Sequence, residues 1–204
     1  VELRPIKQPH GASHFTETFL TESRAPVANI IGGMNNGWRV TMTTLGNERG
    51  GHATTQHVEC TKQFWEAVEM LKKNGKSKDP VTRQQLAWAF SHVEIMRFQG
   101  LKLLSEVLAR KEPGPAASIN KMFWSEYAQK FTNHMMNARG AEAMLIEDGT
   151  DGKYVADRWT SMFFQHRSST IWGGTAQVQR NIVGERVLGL PKEPDPNKPR
   201  PSAE

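Results

Sequence analysis

The sequence predicts a mainly α protein, an antiparallel helical bundle preceded by a short β segment. Three observations carry this expectation. From Asn35 onward, apolar residues recur at three- and four-residue steps over long stretches broken only by Gly-, Pro- or Asp-containing punctuation. Before Ile31 the pattern alternates in the manner of strands, but the pieces are too few for a self-sufficient sheet. No apolar run approaches membrane-spanning length, so the helices must bury their stripes against one another.

In chain order, Val1, Leu3 and Pro5 alternate with polar residues, and Phe15, Phe19 and Leu20 follow a Gly-containing turn. After Gly32-Gly33, Asn35-Asn36-Gly37 opens a helix expected to reach about Lys73. Asp79-Pro80 caps a second helix, with proline in its first turn. That helix carries Leu86, Phe90, Val93, Met96, Leu101, Leu104 and Leu108 and is expected to end at Pro113-Gly114-Pro115. A third carries Ile119, Phe123, Tyr127, Phe131 and Met135 at four-residue steps, with Asp148-Gly149 as its approximate end. A fourth is expected from Asp157 to Trp172, with Trp159, Phe163 and His166 on one face, and a short fifth follows Gly174. Pro191 to Glu204 holds five prolines among charges and reads as a disordered tail. The expected organisation is therefore a β remnant over 1–31, a bundle over 32–190 and a tail over 191–204.

The 204 residues suffice for a buried core, and 9 Met with 9 Phe point to an adaptable apolar interior. The single cysteine, Cys60, excludes an intrachain disulfide and fits a reducing, cytoplasmic setting. The net charge of +5 is mild, and its densest run, Lys72-Lys73-Asn74-Gly75-Lys76-Ser77-Lys78, reads as an exposed interhelical loop. Nucleic-acid binding would show a larger basic face or aromatics interleaved with the cations. Attraction of a polyphosphate ligand such as coenzyme A is compatible with this charge.

Two places could carry chemistry. Gly173-Gly174-Thr175 lies between two helical patterns. Glycines there would let a ligand approach free backbone N–H groups at a helix start, although Gly-Gly-Thr is also an ordinary C-cap followed by an N-cap. Glu48 precedes Arg49-Gly50-Gly51 inside a helical stretch. Interior glycines cost about 1 kcal/mol each relative to Ala, which close approach of a ligand or helix would offset. The alternative for Glu48 is a local surface ion pair. His52 and His57 stand five apart, off the spacing of a helical zinc pair, so no metal is expected. His134 and His166 read as packed, hydrogen-bonded side chains, Met135-Met136 as core, and Cys60 as a buried thiol without a base.

The run Ser168-Ser169-Thr170-Ile171-Trp172-Gly173-Gly174-Thr175-Ala176-Gln177-Val178-Gln179-Arg180-Asn181-Ile182 resembles the flavin-contacting segment of the acyl-CoA dehydrogenase family, which reads aromatic-Glu/Gly-Gly-Thr-x-x-x-Gln-Arg-x-Ile. Gly37-Trp38-Arg39-Val40-Thr41-Met42-Thr43-Thr44-Leu45-Gly46-Asn47-Glu48-Arg49 is similar to the family's first helix of the C-terminal bundle. Val1 to Val27, with Phe19-Leu20-Thr21-Glu22-Ser23-Arg24-Ala25-Pro26, resembles the last strands of its middle β-domain. The resemblance implies FAD as cofactor, an acyl-CoA substrate, electron-transfer flavoprotein as electron acceptor, and a homo-oligomer (dimer or tetramer), with a mixed oligomer as the alternative. The implied reaction removes an α-proton and a β-hydride to give a trans-2,3-enoyl-CoA, the step type of fatty-acid β-oxidation. Most members place the catalytic carboxylate in the slot occupied here by Gly173, which can offer only its backbone N–H to the thioester oxygen. A minority place it one residue before an Arg in the first bundle helix, which matches Glu48 before Arg49. Gly174, Thr175 and Gln177 fall on flavin- and phosphate-contacting positions, Arg49 on an Arg near coenzyme A, and Trp172 either lines the flavin or packs the bundle.

Two departures accompany the resemblance. The family's Arg-x-x-Phe-Gly, which reaches a neighbouring subunit's flavin, is replaced near 72–80 by Lys72-Lys73-Asn74-Gly75-Lys76-Ser77-Lys78-Asp79-Pro80, and Gln-x-x-Gly-Gly is degenerate at Arg139-Gly140-Ala141-Glu142. The segments expected to hold the flavin ring precede Val1 in the family, so the chain reads as about the C-terminal half of a subunit. That reading makes the alternative function an incomplete partner subunit in a mixed oligomer.

Overall fold

A computed structural model of the chain describes residues 1–109, 117–145, 147–148 and 154–192, with backbone alone at 46–53, 147–148 and 154–155. Strands β1 (Glu2–Ile6) and β2 (Phe15–Phe19) pair antiparallel with Glu2 opposite Phe19 and Ile6 opposite Phe15. Among the described residues this hairpin pairs with no further strand, and apart from the half-buried Phe19 its apolar side chains stay in solvent: Leu3 is 60% and Phe15 58% exposed. It carries no core of its own, as a two-stranded piece should not.

The bundle begins with α1 (Gly37–Lys73), which continues as helix through Gly46, Gly50 and Gly51. It is followed by α2 (Pro80–Leu108) and α3 (Ala117–Arg139). Asp79 caps α2 by accepting from the N–H and hydroxyl of Thr82, with Pro80 in the first turn. The amide of Asn74 donates to the carbonyl of Ala138 at 3.3 Å, which sets the C-terminal ends of α1 and α3 side by side. Helices α1 and α3 therefore run parallel, with α2 antiparallel to both. The core lies between them: Phe64, Ala67 and Leu71 from α1, Ala89, Val93 and Met96 from α2, and Tyr127, Phe131 and Met135 from α3. Trp88, Tyr127 and Phe131 stack through it at centroid spacings of 5.6 and 5.3 Å. The outer side of α2 keeps Phe90, Phe98, Leu101 and Leu108 exposed.

Two helix ends differ from the sequence expectation. Helix α3 stops at Arg139, not near Asp148-Gly149, because Gly140 turns to φ +60° and a 3-10 turn over Gly140–Met144 follows. A small antiparallel pair, β3 (Glu147–Asp148) with β4 (Tyr154–Val155), occupies the connection. Helix α4 (Arg158–Arg167) stops five residues before Trp172. There the hydroxyls of Ser168 and Ser169 donate to the carbonyls of Gln165 and His166, which competes with helical bonding. The chain closes with α5 (Ala176–Ile182) and a π turn over Val183–Val187. The expected breaker Pro113-Gly114-Pro115 and the tail from residue 193 lie outside the described residues. No helix among the described residues is long and apolar enough to cross a membrane.

Asp157 fastens α4. It caps the helix by accepting from the N–H groups of Trp159 and Thr160, and its two oxygens also take the guanidinium of Arg139. Burial raises its pKa, but the bonds from Thr160 and Arg139 and the Arg139 charge outweigh this and hold it below the usual carboxylate range. Its stabilisation is thus complete above the ordinary carboxyl pKa and is lost as pH falls below it. Asp157→Ala should cost about 1–2 kcal/mol through the lost cap alone, and Asp157→Asn, which keeps an acceptor, less. Urea unfolding of the two variants at pH 7 checks the order.

Candidate functional site

The segment from Ser168 to Thr175 forms a turn between α4 and α5, seated on the N-terminal half of α3. The Gln129 amide donates to the carbonyl of Arg167 and the hydroxyl of Thr170, at 3.1 and 2.9 Å. Ser169 is fully buried and its hydroxyl reaches the carbonyl of Ser125. The N–H of Ala176 closes the turn on the carbonyl of Thr170 at 2.8 Å.

At the tip, Gly173 and Gly174 adopt φ +65° and +90°, a region L side chains rarely enter. Because α4 has already ended at Arg167, the glycines are not its C-cap. Thr175 is the N-cap of α5, its hydroxyl accepting from the N–H of Val178 at 3.2 Å. Among the described residues the N–H groups of Gly173, Gly174 and Thr175 donate to no acceptor. Gly173 and Gln177 are exposed. Trp172 is 42% exposed, with its ring 5.5 Å from that of Trp124, so the indole both packs on the bundle and offers a face outward. The turn brings Trp172, Gly173, Gly174, Thr175 and Gln177 together. Glu48 and Arg49 fall in the N-terminal half of α1, where their side chains lie outside the described residues.

Two residues at this site were missed by sequence reasoning. The Lys121 ammonium donates to the carbonyls of Ser169 and Gly174 at 2.9 and 2.7 Å and lies 5.9 Å from the Trp172 ring centre. Gln179, wholly buried, donates to the carbonyl of Gly173 at 3.1 Å. Gln179 is the glutamine of the Gln-Arg-x-Ile run, which was the available signal; Lys121 stands two residues from both Ile119 and Phe123, off the face they share, and nothing in the local pattern marked it.

The remaining candidates resolve as packing. Cys60 is 2% exposed, and burial pushes its thiol up to about 12, which leaves no thiolate for chemistry. His134 meets Trp88 edge-on, and burial lowers its pKa. His166 departs from expectation: it packs against Trp124, but its buried Nδ1 finds no hydrogen-bond partner. His52 lies outside the described side chains, and among the described residues no group of three or more potential ligands could hold a metal.

The two degenerate segments meet at the far end of the bundle. Lys73, Asn74, Arg139 and Glu142 line a cleft of about 830 Å³ with Lys62, Trp65, Glu66, Glu69 and Met70. The Arg139 guanidinium there is engaged by Asp157 and Thr160, while Glu66, Glu69 and Glu142 add carboxylates to the wall.

The turn is chemically suited to a flavin beside a thioester: unengaged N–H donors, two of them on glycines without side-chain bulk, an outward indole face and a solvent-facing amide. Residues 35–188 match the acyl-CoA dehydrogenase C-terminal domain. Acyl-CoA dehydrogenase IpdE1 of Mycolicibacterium smegmatis is 32% identical over 193 residues, covering 95% of this chain and 47% of that protein. A solved ChsE4-ChsE5 complex from Mycobacterium tuberculosis aligns at a TM-score of 0.63 and 28% identity, over 83% of this chain and 45% of that one. The Tcur3481-Tcur3483 steroid ACAD aligns at 0.80 and 24% identity over 94% and 49%, which establishes the fold alone. The chain spans about half the length of the curated relatives it matches.

Proposed function

Because this chain belongs to the acyl-CoA dehydrogenase family, we propose that it is the C-terminal part of an FAD-dependent enzyme that converts an acyl-CoA to its trans-2,3-enoyl-CoA, with Glu48 as the base. The observation that carries the reading is the Gly173-Gly174-Thr175 turn, with its glycines at positive φ and its N–H groups unengaged. Bound flavin supplies the hydride acceptor. The chain supplies the rest. The N–H of Gly173 donates to the thioester oxygen and stabilises charge as the α-carbon loses its proton to Glu48. Gly173 brings no carboxylate to that wall, so the base must come from elsewhere, and α1 carries Glu48 beside Arg49. Arg49 offers a cation to coenzyme A, and Thr175 and Gln177 meet the flavin. Electron-transfer flavoprotein is the expected acceptor of the electrons. The test is the half-reaction of the full-length enzyme carrying Glu48→Gln, in which bound flavin should persist while its reduction by acyl-CoA slows.

The isolated 204 residues should be colourless and should not oxidise acyl-CoA, since the turn provides one wall of a flavin site. A stoichiometric flavin absorbance band in the purified chain would contradict this.

A second reading is favoured by the far cleft. Its one partly buried cation, Arg139, is committed to Asp157, and the exposed Lys62 and Lys73 share the wall with three carboxylates, so no net positive charge is held there for a neighbour's flavin phosphates. On this reading the chain is an incomplete subunit in a mixed oligomer, with the exposed apolar residues of α2 suited to burial against a partner. The similarity to a ChsE4-ChsE5 complex supports it. Co-purification of a second acyl-CoA dehydrogenase-like subunit in fixed ratio would favour it over the homo-oligomer.

A further inference from the structure

Resting on the reading of this turn as the wall that meets flavin and thioester, we propose that Lys121 and Gln179 are positioning residues that hold the Gly173 and Gly174 peptides in their working orientation. Two consecutive glycines at positive φ form the loosest kind of backbone, so something other than their own torsions must select one arrangement. Lys121 does so by bridging the turn: one ammonium binds the carbonyl of Ser169 at its start and that of Gly174 at its end, at 2.9 and 2.7 Å. Gln179 reaches back from α5 to the carbonyl between them, that of Gly173.

The peptide geometry gives these bonds a direction. In a trans peptide the C=O and the following N–H point opposite ways. With the carbonyls of Gly173 and Gly174 drawn inward to Gln179 and Lys121, the N–H groups of Gly174 and Thr175 are turned away from these anchors. The anchors are themselves fixed. Lys121 projects from α3, the helix that also holds the turn through Ser125 and Gln129, and Gln179 is wholly buried. A cation donating to neutral carbonyls makes a stronger bond than a neutral amide, so Lys121 is the dominant clamp and Gln179 the finer one. The Gly173 N–H, the donor to the thioester oxygen, belongs to the preceding peptide, so the clamp acts on it through the torsions of Gly173, and a donor fixed in advance costs no reorganisation when charge develops on the ligand.

The experiment compares Lys121→Met, Lys121→Arg, Gln179→Met and Gln177→Ala in the full-length flavoenzyme. Lys121→Met should speed exchange of the Trp172 and Ala176 amides, whose N–H groups close the turn on the carbonyls of Ser168 and Thr170, about ten- to hundredfold while Tyr127–Met135 in the core stays protected. It should weaken flavin binding about tenfold and lower kcat with KM within twofold, and Lys121→Arg should restore part of each. Gln179→Met should move the same readouts in the same direction by less, and it decides the matter if Lys121→Met does not fold. Gln177→Ala probes flavin contact without touching the clamp. If Gln177→Ala weakens flavin but both clamp variants match wild type in exchange and affinity, the positioning role is wrong and the flavin wall stands. If Gln177→Ala leaves flavin affinity unchanged, the flavin wall falls and the proposal falls with it.

Discussion

In the full-length enzyme, Glu48→Gln should leave flavin bound and slow its reduction by acyl-CoA about 10²–10⁴-fold, toward the severe end for a carbon acid. The substitution keeps size and hydrogen bonding but removes the carboxylate that accepts the α-proton. Stopped-flow bleaching of the flavin measures it directly, and reduction at the wild-type rate would move the incomplete-subunit reading to first place. Adding Gly173→Glu to that background offers a carboxylate from the opposite wall and should recover part of the rate. The structure supplies two reasons for the recovery to stay partial. Gly173 sits at φ +65°, where an L residue is strained by about 1–2 kcal/mol. A Cβ there would lie 3.7 Å from Cε of Lys121, so the new carboxylate would emerge beside an ammonium that lowers its basicity.

The second large effect is acid destabilisation through His166. Burial, followed by the neighbouring Arg167 charge, lowers its pKa to about 4, and its buried Nδ1 has no partner that would favour the imidazolium. The folded protein therefore holds this ring neutral, whereas the unfolded chain protonates it near its ordinary 6.5. Between these values the unfolded state binds more protons, so stability falls as pH falls. The contribution is fully present above 6.5 and is lost on descent to about 4. At about 1.4 kcal/mol per pKa unit, the loss is on the order of 3 kcal/mol. His166→Phe keeps a ring against Trp124 and removes the titration, so its unfolding free energy should flatten across that window relative to wild type. Asp157 adds its own loss below the carboxylate range in both proteins, which places it outside the difference. Superimposable pH profiles would show that His166 does not titrate this way.

What the sequence determined by itself was set by local periodicity and local capping. The recurrence of Leu86, Phe90, Val93 and Met96, or of Phe123, Tyr127 and Phe131, identifies helices because side chains three and four apart share a face whatever surrounds them. Asp79 and Asp157 announce helix starts for the same reason: the N–H groups they cap lie within three residues. The Gly173-Gly174-Thr175 break was equally legible as a special turn, and the reading of Glu48 rested on resemblance. The ends of α3 and α4 also have local causes, in Gly140 and in Ser168-Ser169, whereas tertiary structure alone decided that Arg139 is spent on Asp157 and that the Nδ1 of His166 is buried without a partner. It also brought Lys121 to carbonyls 48 and 53 residues further along. A carbonyl left open by a turn must be satisfied, but which side chain reaches it depends on how the helices are set against one another. That register comes from the packing of whole faces, and no three- or four-residue pattern encodes it.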